Sequence, residues 1–162
     1  MAINDPALFQ NGSCYRRTSG NRVITMNASS GGAGPLPIIT GLTAAIPIVN
    51  TTVSTLSNRN PLILLTFSGI IGIPQGTTIS LNFEVIRSME NNSIKIGPTY
   101  TVSGTYSVLT SQSTSFQIID NNLQYGNYTY TVQLSQNSTI TGAAGLTITN
   151  AVLSALVSES TY

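Results

Sequence analysis

Charged side chains are scarce in this 162-residue sequence, which has six Lys and Arg, five Asp and Glu, and 7% charged residues in total. Ordinary domains contain about 25%. The formal net charge of +1 gives no field that would hold a phosphate backbone, so we expect no nucleic-acid partner. A surface with so little charge also produces little repulsion between copies, which favours self-association.

Histidine is absent and Cys14 is the single cysteine. The absence of histidine excludes Ser-His and Cys-His catalytic arrangements. One cysteine without histidine can form neither an internal disulfide nor a structural zinc site. No glycine-rich phosphate loop precedes Lys95, the one lysine. We therefore predict a protein that is not an enzyme, with no catalytic residue, cofactor, metal site or small-molecule substrate.

A carboxylate-dependent hydrolase is the enzymatic alternative that the composition leaves open, because two carboxylates can act as an acid–base pair. Glu84 and Glu90 are the nearest pair. Glu84 falls on the polar face of a predicted strand and Glu90 begins a predicted turn, so we interpret both as solvated surface charges. Lys95 is interpreted as a charge on an exposed or edge strand.

Long apolar segments are also absent. No stretch approaches the 18 consecutive apolar residues of a membrane span, so we expect no membrane partner. Residues 1–6 lack the basic start and apolar segment of a signal peptide, so no classical signal peptide is expected.

Threonine, serine and asparagine are abundant instead, with 22, 20 and 15 copies. Apolar and polar residues alternate with a period of two at 78–85 and 128–134, the pattern of half-buried strands. Residues 62–67 form a nearly continuous apolar run, typical of a strand covered on both faces. A change of parity near Asn150 predicts a β-bulge.

Turn-forming clusters separate these segments, for example at 29–35, 74–76 and 142–145. No segment has apolar residues at helical spacing. The sequence therefore predicts an all-β protein, an antiparallel β-sandwich of the jelly-roll type with about eight to ten short strands. Residues 36–40 are among the further predicted strands.

The chain divides into an N-terminal connector arm, residues 1–20, and a jelly-roll domain, residues 21–162. Ile3, Leu8 and Phe9 are too few to form a core of their own. Docked on a neighbouring subunit, they can add a strand or fill a groove. The alternatives are a free, disordered tail and an arm that folds back on its own domain. Cys14 either belongs to this subunit contact, as an intermolecular disulfide, or is a reactive thiol or an inert one.

Several segments resemble a known family when they are taken in order: residues 60–68, 79–87, 114–120, 128–132 and 146–153. Together they resemble the small all-β spore-surface proteins of clostridia and related spore formers, some of which build pilus-like endospore appendages. The resemblance implies a jelly-roll subunit that is assembled without a secretion signal and left on the spore surface, and hence extracellular, after cell lysis.

We therefore predict a non-enzymatic structural subunit that self-assembles into an extracellular fibre of identical copies. In this prediction the N-terminal arm docks into the neighbouring subunit. Two alternatives remain at this point. One is a viral or phage coat or decoration protein, and the other is a soluble trimeric jelly-roll binding head.

Overall fold

A computed structural model describes residues 24–121 and 123–159, and this part of the chain contains nine β-strands and no helix. The strands are β1 (Thr25–Leu36), β2 (Ile46–Ser54), β3 (Pro61–Ile73), β4 (Thr77–Met89), β5 (Asn92–Tyr106), β6 (Thr110–Asp120), β7 (Asn127–Leu134), β8 (Thr139–Thr141) and β9 (Leu146–Glu159). No helix in these two ranges is long and apolar enough to cross a membrane.

The strands form two antiparallel sheets. The four-stranded sheet has the order β1–β9–β3–β6, and the five-stranded sheet has the order β2–β7–β4–β5 with β8 beside β4. Each early strand pairs with its counterpart from the other end of the chain: β1 with β9, β2 with β7, β3 with β6 and β4 with β5. This pairing of early strands with later ones across two sheets is the jelly-roll topology, which confirms the predicted fold class.

The core lies between the sheets and is filled by alternate residues of the long strands. Every second residue is buried along β3 and from Thr77 to Val85 of β4, as the period of two predicts. Aromatic rings join the two sheets at its centre. Phe67 contacts Phe83 across the sandwich at 5.9 Å and Phe116 on the neighbouring strand at 4.9 Å, and Phe116 stacks on Tyr100 at 4.0 Å, all between ring centroids.

The bulge predicted near Asn150 is present. Ser68 pairs with Val152 but Ile70 pairs with Thr149, so β9 has one extra residue at this point. Asn150 has a φ of 50°, in the left-handed region that asparagine tolerates better than most residues. The extra residue restores the alternation of buried and exposed side chains on either side of it.

Two local predictions are wrong. The glycine-rich segment 29–35, predicted as a turn, lies inside β1. A Cβ on Gly31 would overlap the Ile48 carbonyl oxygen, so glycine here permits a close approach of β1 to β2. Residues 36–40, predicted as a separate strand, contribute the end of β1 and one isolated bridge, Ile39 to Ile140.

Candidate assembly surfaces

Among the described residues, the sandwich has four long edge strands, β1 and β6 in one sheet and β2 and β5 in the other. The three-residue strand β8 is covered on its outer side by the Ile39 bridge. Three of the four long edge strands contain a proline and a shift of register, which are features that discourage pairing with another chain. The prolines are Pro35 in β1, Pro47 in β2 and Pro98 in β5. Lys95 lies on the edge strand β5, as predicted.

The fourth edge strand, β6, has neither feature. It contains no proline, and its only charged residue is Asp120 at the end of the strand. Its pairing with β3 runs without a shift from Ile63 opposite Asp120 to Ile73 opposite Thr110. Long, regular and uncharged edges are templates for the addition of another strand.

Side-chain hydrogen bonds show which backbone groups of β6 point away from the sheet. Ser154 and Ser158 on β9 donate to the carbonyl oxygens of Thr66 and Leu62 at 3.4 and 3.5 Å, so the even-numbered residues of β3 face β9. Because these β3 residues point their main-chain groups at β9, they form no main-chain hydrogen bonds with the β6 residues opposite them. Those β6 residues therefore direct both N–H and C=O away from β3, to the open side. The Tyr100 hydroxyl donates to the carbonyl oxygen of Gln117, one of these β6 residues, at 3.0 Å, so this carbonyl does point away from β3.

The open side of β6 thus presents the main-chain groups of alternate residues, namely Ser111, Ser113, Ser115, Gln117 and Ile119. Among the described residues, the Gln117 carbonyl is the one of these groups that has a hydrogen-bond partner beyond β3. The other groups have no such partner in residues 24–121 and 123–159, and they can bond to water or to an added strand.

Apolar side chains form a row across the outer face of the four-stranded sheet. Leu64 on β3 pairs with both Leu156 on β9 and Ile119 on β6, and Leu156 pairs with Met26 on β1. The exposed fractions are 68% for Met26, 62% for Ile119 and 36% for Leu156. We call these four residues the apolar row; it brings one large apolar side chain from every strand of the sheet into one line.

The apolar run 62–67, predicted to be covered on both faces, is covered on one. Ile63, Leu65 and Phe67 face the core and are buried, whereas Leu62 and Leu64 lie on the outer face and are half-exposed. The predicted strand is present, but its outer face is partly exposed and forms part of the surface.

Charge is absent from this outer face within the described part of the chain. Lys95 and Glu84 form an ion pair of 2.9 Å between β5 and β4, in the five-stranded sheet. Asp120 is buried, and Glu159 accepts a hydrogen bond from the Arg59 amide at 3.0 Å at the end of β9. The outer face of the four-stranded sheet therefore consists of apolar, hydroxyl, amide and glycine residues.

The carboxylates considered for a hydrolase do not form a site. Glu84 is half-exposed on the outer face of β4, as predicted, and is neutralised by Lys95. Glu90 lies in the turn after β4, about 20 Å along the strand at about 3.3 Å per residue. Residues 24–121 and 123–159 contain no group of three acidic, His or Cys side chains that would hold a metal ion.

One buried polar cluster was missed by the sequence analysis. Nη1 of Arg87 contacts both Asp120 carboxylate oxygens at 2.8 and 3.0 Å, and the Tyr130 hydroxyl donates to the same carboxylate at 2.7 Å. Burial, with the hydrogen bond to Asp120 second, raises the pKa of Tyr130 far above its usual value. Tyr130 is therefore held neutral as a hydrogen-bond donor and cannot act as a base at physiological pH.

A signal for this cluster was present in the sequence. Arg87 continues the inward series Leu81, Phe83 and Val85 along β4. A charged residue at an inward position requires a buried partner, and Asp120, at the inward parity of β6, supplies it.

The predicted subunit-contact residues Ile3, Leu8, Phe9 and Cys14 lie outside the described residues, together with the whole arm, residues 1–20. Arm docking, the Cys14 disulfide and the boundary between arm and domain therefore stay predictions.

Three solved viral structures show weak similarity to this chain. Infectious bursal disease virus Gx strain has 10% identity and a TM-score of 0.44 over 88% of this chain, which spans 33% of that one. The VLP of the giant freshwater prawn Macrobrachium rosenbergii extra small virus has 11% identity and a TM-score of 0.23, covering 86% of this chain and 83% of that one. The VP2 subviral particle of infectious bursal disease virus has 8% identity and a TM-score of 0.29, covering 86% and 42%.

These scores are too low for an inference about function, and the jelly-roll assignment rests on the strand order given above. No curated protein sequence matches the chain. Residues 23–158 match one family model, which includes nearly all of the described sandwich. The chain therefore belongs to the family described as Domain of unknown function (DUF4489).

Proposed function

We propose that this protein is a non-enzymatic structural subunit that assembles with identical copies of itself. The observation that supports this most directly is the open edge of β6, the one edge strand among the four that lacks proline, register shift and charge over most of its length. An edge of this kind binds an extended segment through main-chain hydrogen bonds.

The segment that we propose for this edge is the N-terminal arm of a neighbouring copy. Ile3, Leu8 and Phe9 would supply the apolar side chains that set its register, while its backbone pairs with Ser111, Ser113 and Ser115 of β6. A contact in which one copy donates an arm and the next accepts it is heterologous. When such a contact does not close into a ring, it produces a filament.

In its finer form the proposal is an extracellular fibre on the surface of a spore, which the resemblance of the strand motifs to spore-surface proteins supports. The coat-protein alternative uses the same self-association but closes it into a shell, and the trimeric binding head stops at three copies. Electron microscopy of the assembled protein separates these outcomes, because it distinguishes filaments, closed particles and discrete trimers.

A proline at position 113 tests the β6 edge. The Ser113 amide points to the open side, so Ser113→Pro removes a donor that an added strand needs and that β3 does not use. We expect unfolding free energy to change by no more than about 1 kcal/mol. The concentration needed for assembly should rise at least tenfold, equivalent to about 1.4 kcal/mol per contact.

Ser113→Ala is the matched control, because it removes the same hydroxyl but retains the amide, and it should assemble like the wild type. Light scattering and negative-stain microscopy on the full chain give the readout. Normal assembly by Ser113→Pro would overturn the role of β6. A full-chain triple variant, Ile3→Ser with Leu8→Ser and Phe9→Ser, tests the arm; it should also fail to assemble, and normal assembly would show that another strand occupies the edge.

A further inference from the structure

We infer that the outer face of the four-stranded sheet binds the same face of a second copy, so that the assembling unit is a two-fold dimer. This inference rests on the proposed self-assembly, and it uses a surface other than the β6 edge. The occupant is a second copy because the described residues of the face carry no charge for an ionic partner, and because the size and side chains of the face fit a sheet of the same kind.

The side chains of the face suit sheet-on-sheet packing. The apolar row supplies Met26, Leu156, Leu64 and Ile119. The rows that follow it along the strands consist mainly of small or uncharged side chains, including Ala28, Ser154, Thr66, Gln117, Ser30, Val152, Ser68 and Ser115. Small residues let two sheets approach to about 10 Å, the spacing of packed sheets.

The area of the face matches the requirement of a stable dimer. The sheet is four strands wide and β3 is 13 residues long, which gives about 19 Å by about 43 Å at the usual strand spacing and rise. The product, about 800 Å², equals the area that each partner buries in an interface of standard size.

Symmetry then determines which residues meet. The apolar row lies near the end of the sheet where β1 begins and β9 ends. A two-fold axis across the strands at this row would leave most of the face uncovered, and one across the middle of the sheet would place the two apolar rows at opposite ends. An axis along the strands superposes both the whole face and the two rows. With the axis along the strands, the strand order of the second copy runs in the opposite direction across the interface. Met26 therefore packs opposite Ile119 of the second copy, and Leu156 opposite its Leu64.

Thiol cross-linking tests this pairing in full-length chains in which Cys14→Ser removes the native thiol. Met26→Cys and Ile119→Cys are made in separate chains, and a bis-maleimide that spans about 10 Å joins them. We expect a mixture of the two chains to form cross-linked dimers. Either chain alone should not, because its two thiols would be displaced sideways by about 14 Å, three strand spacings, and so lie about 17 Å apart. Efficient cross-linking of Met26→Cys with itself, or none in the mixture, would overturn the pairing.

Oligomeric state separates the dimer from the fibre. In the full-length Ser113→Pro chain, which we expect to be unable to extend a fibre, sedimentation velocity should show a species of twice the 17.0 kDa monomer. Adding Met26→Lys should weaken this dimer at least 100-fold. Ser103→Lys, an equally charged variant on the exposed face of β5 in the other sheet, should change it less than threefold.

A monomeric Ser113→Pro chain alongside a polymerising wild type would overturn the dimer and leave the proposed function standing. A wild type that forms the dimer but no larger assembly would leave the dimer standing and overturn the proposed function. If the dimer is lost on substituting Ile3, Leu8 and Phe9 by serine in this background but survives Met26→Lys, the arm occupies the face and the inference is wrong.

Discussion

Replacing Asp120 by alanine should lower the free energy of unfolding by about 3–5 kcal/mol, the range for breaking a buried ion pair. The carboxylate is 8% exposed and accepts from both Arg87 and Tyr130. Without it, Arg87 loses its counter-charge and the Tyr130 hydroxyl, which is fully buried, loses its acceptor. We interpret the cluster as a set of structural contacts that links β4, β6 and β7, rather than as a reactive site.

The magnitude follows from the two groups left behind. An unsatisfied buried hydroxyl costs about 1–3 kcal/mol. The Arg87 side chain is 22% exposed, so water can hydrate part of the guanidinium, and its share is smaller than for a fully buried charge. The total therefore stays near the range for a single broken pair instead of the sum of both costs.

Two conservative variants of the same cluster should cost less. Asp120→Asn keeps the shape and one acceptor oxygen for Tyr130 and Arg87, and should cost about 1–2 kcal/mol, since the charge and the second acceptor are lost. Tyr130→Phe removes one hydrogen bond while Asp120 keeps both contacts to Arg87, and should also cost about 1–2 kcal/mol.

Urea unfolding at one fixed protein concentration is the assay, because association makes apparent stability depend on concentration. Tyrosine fluorescence serves as the probe, since the chain has no tryptophan. A cost below about 1 kcal/mol for Asp120→Ala would refute the reasoning. So would an Asp120→Asn variant as unstable as the alanine variant, because the argument depends on the retained acceptor.

Two further predictions use matched pairs of variants and the same unfolding assay. The buried Thr77 hydroxyl has no partner among the described residues, so Thr77→Val should be neutral or stabilising by up to about 1 kcal/mol. Thr55→Val should cost about 1–3 kcal/mol, because that hydroxyl donates to the Gln124 carbonyl and accepts from the Gly126 amide; equal effects of the two variants would contradict this. Gly142 has a φ of 94° and a Cβ there would overlap the Gly76 carbonyl oxygen, so Gly142→Ala should cost about 2 kcal/mol or more. Gly41→Ala, where a Cβ meets nothing within 4 Å, should change stability by less than about 1 kcal/mol, and a larger loss at 41 than at 142 would show the steric argument to be wrong.

Strand positions were predictable because burial of one face leaves a period of two in the sequence. The bulge at Asn150 was predictable for the same reason, since one extra residue reverses the parity of the strand that contains it. The pairing of β1 with β9 was not, because residues that are more than a hundred positions apart leave no local pattern that names their partner. The fold class was predictable from the number of strands and the turns between them, whereas the strand order is visible only in the three-dimensional structure.

Errors arose where one residue type serves two physical purposes. Glycine permits both tight turns and close approach of backbones, and at Gly31 the second applies. An apolar run such as 62–67 indicates burial on both sides, but it fits equally well a strand with one face in the core and one in a contact surface.

The candidate surfaces lay beyond prediction for a geometric reason. The apolar row exists only because four distant strands align Met26, Leu156, Leu64 and Ile119 in register. The open edge of β6 likewise depends on the position of that strand at the end of the sheet.

Sedimentation velocity of the full-length wild-type chain, over a wide concentration range at physiological salt, tests the central claim most directly. Self-assembly through its own strands predicts species far above 17.0 kDa whose share grows with concentration, and which Ser113→Pro reduces. A single species at the monomer mass at every concentration would contradict the account.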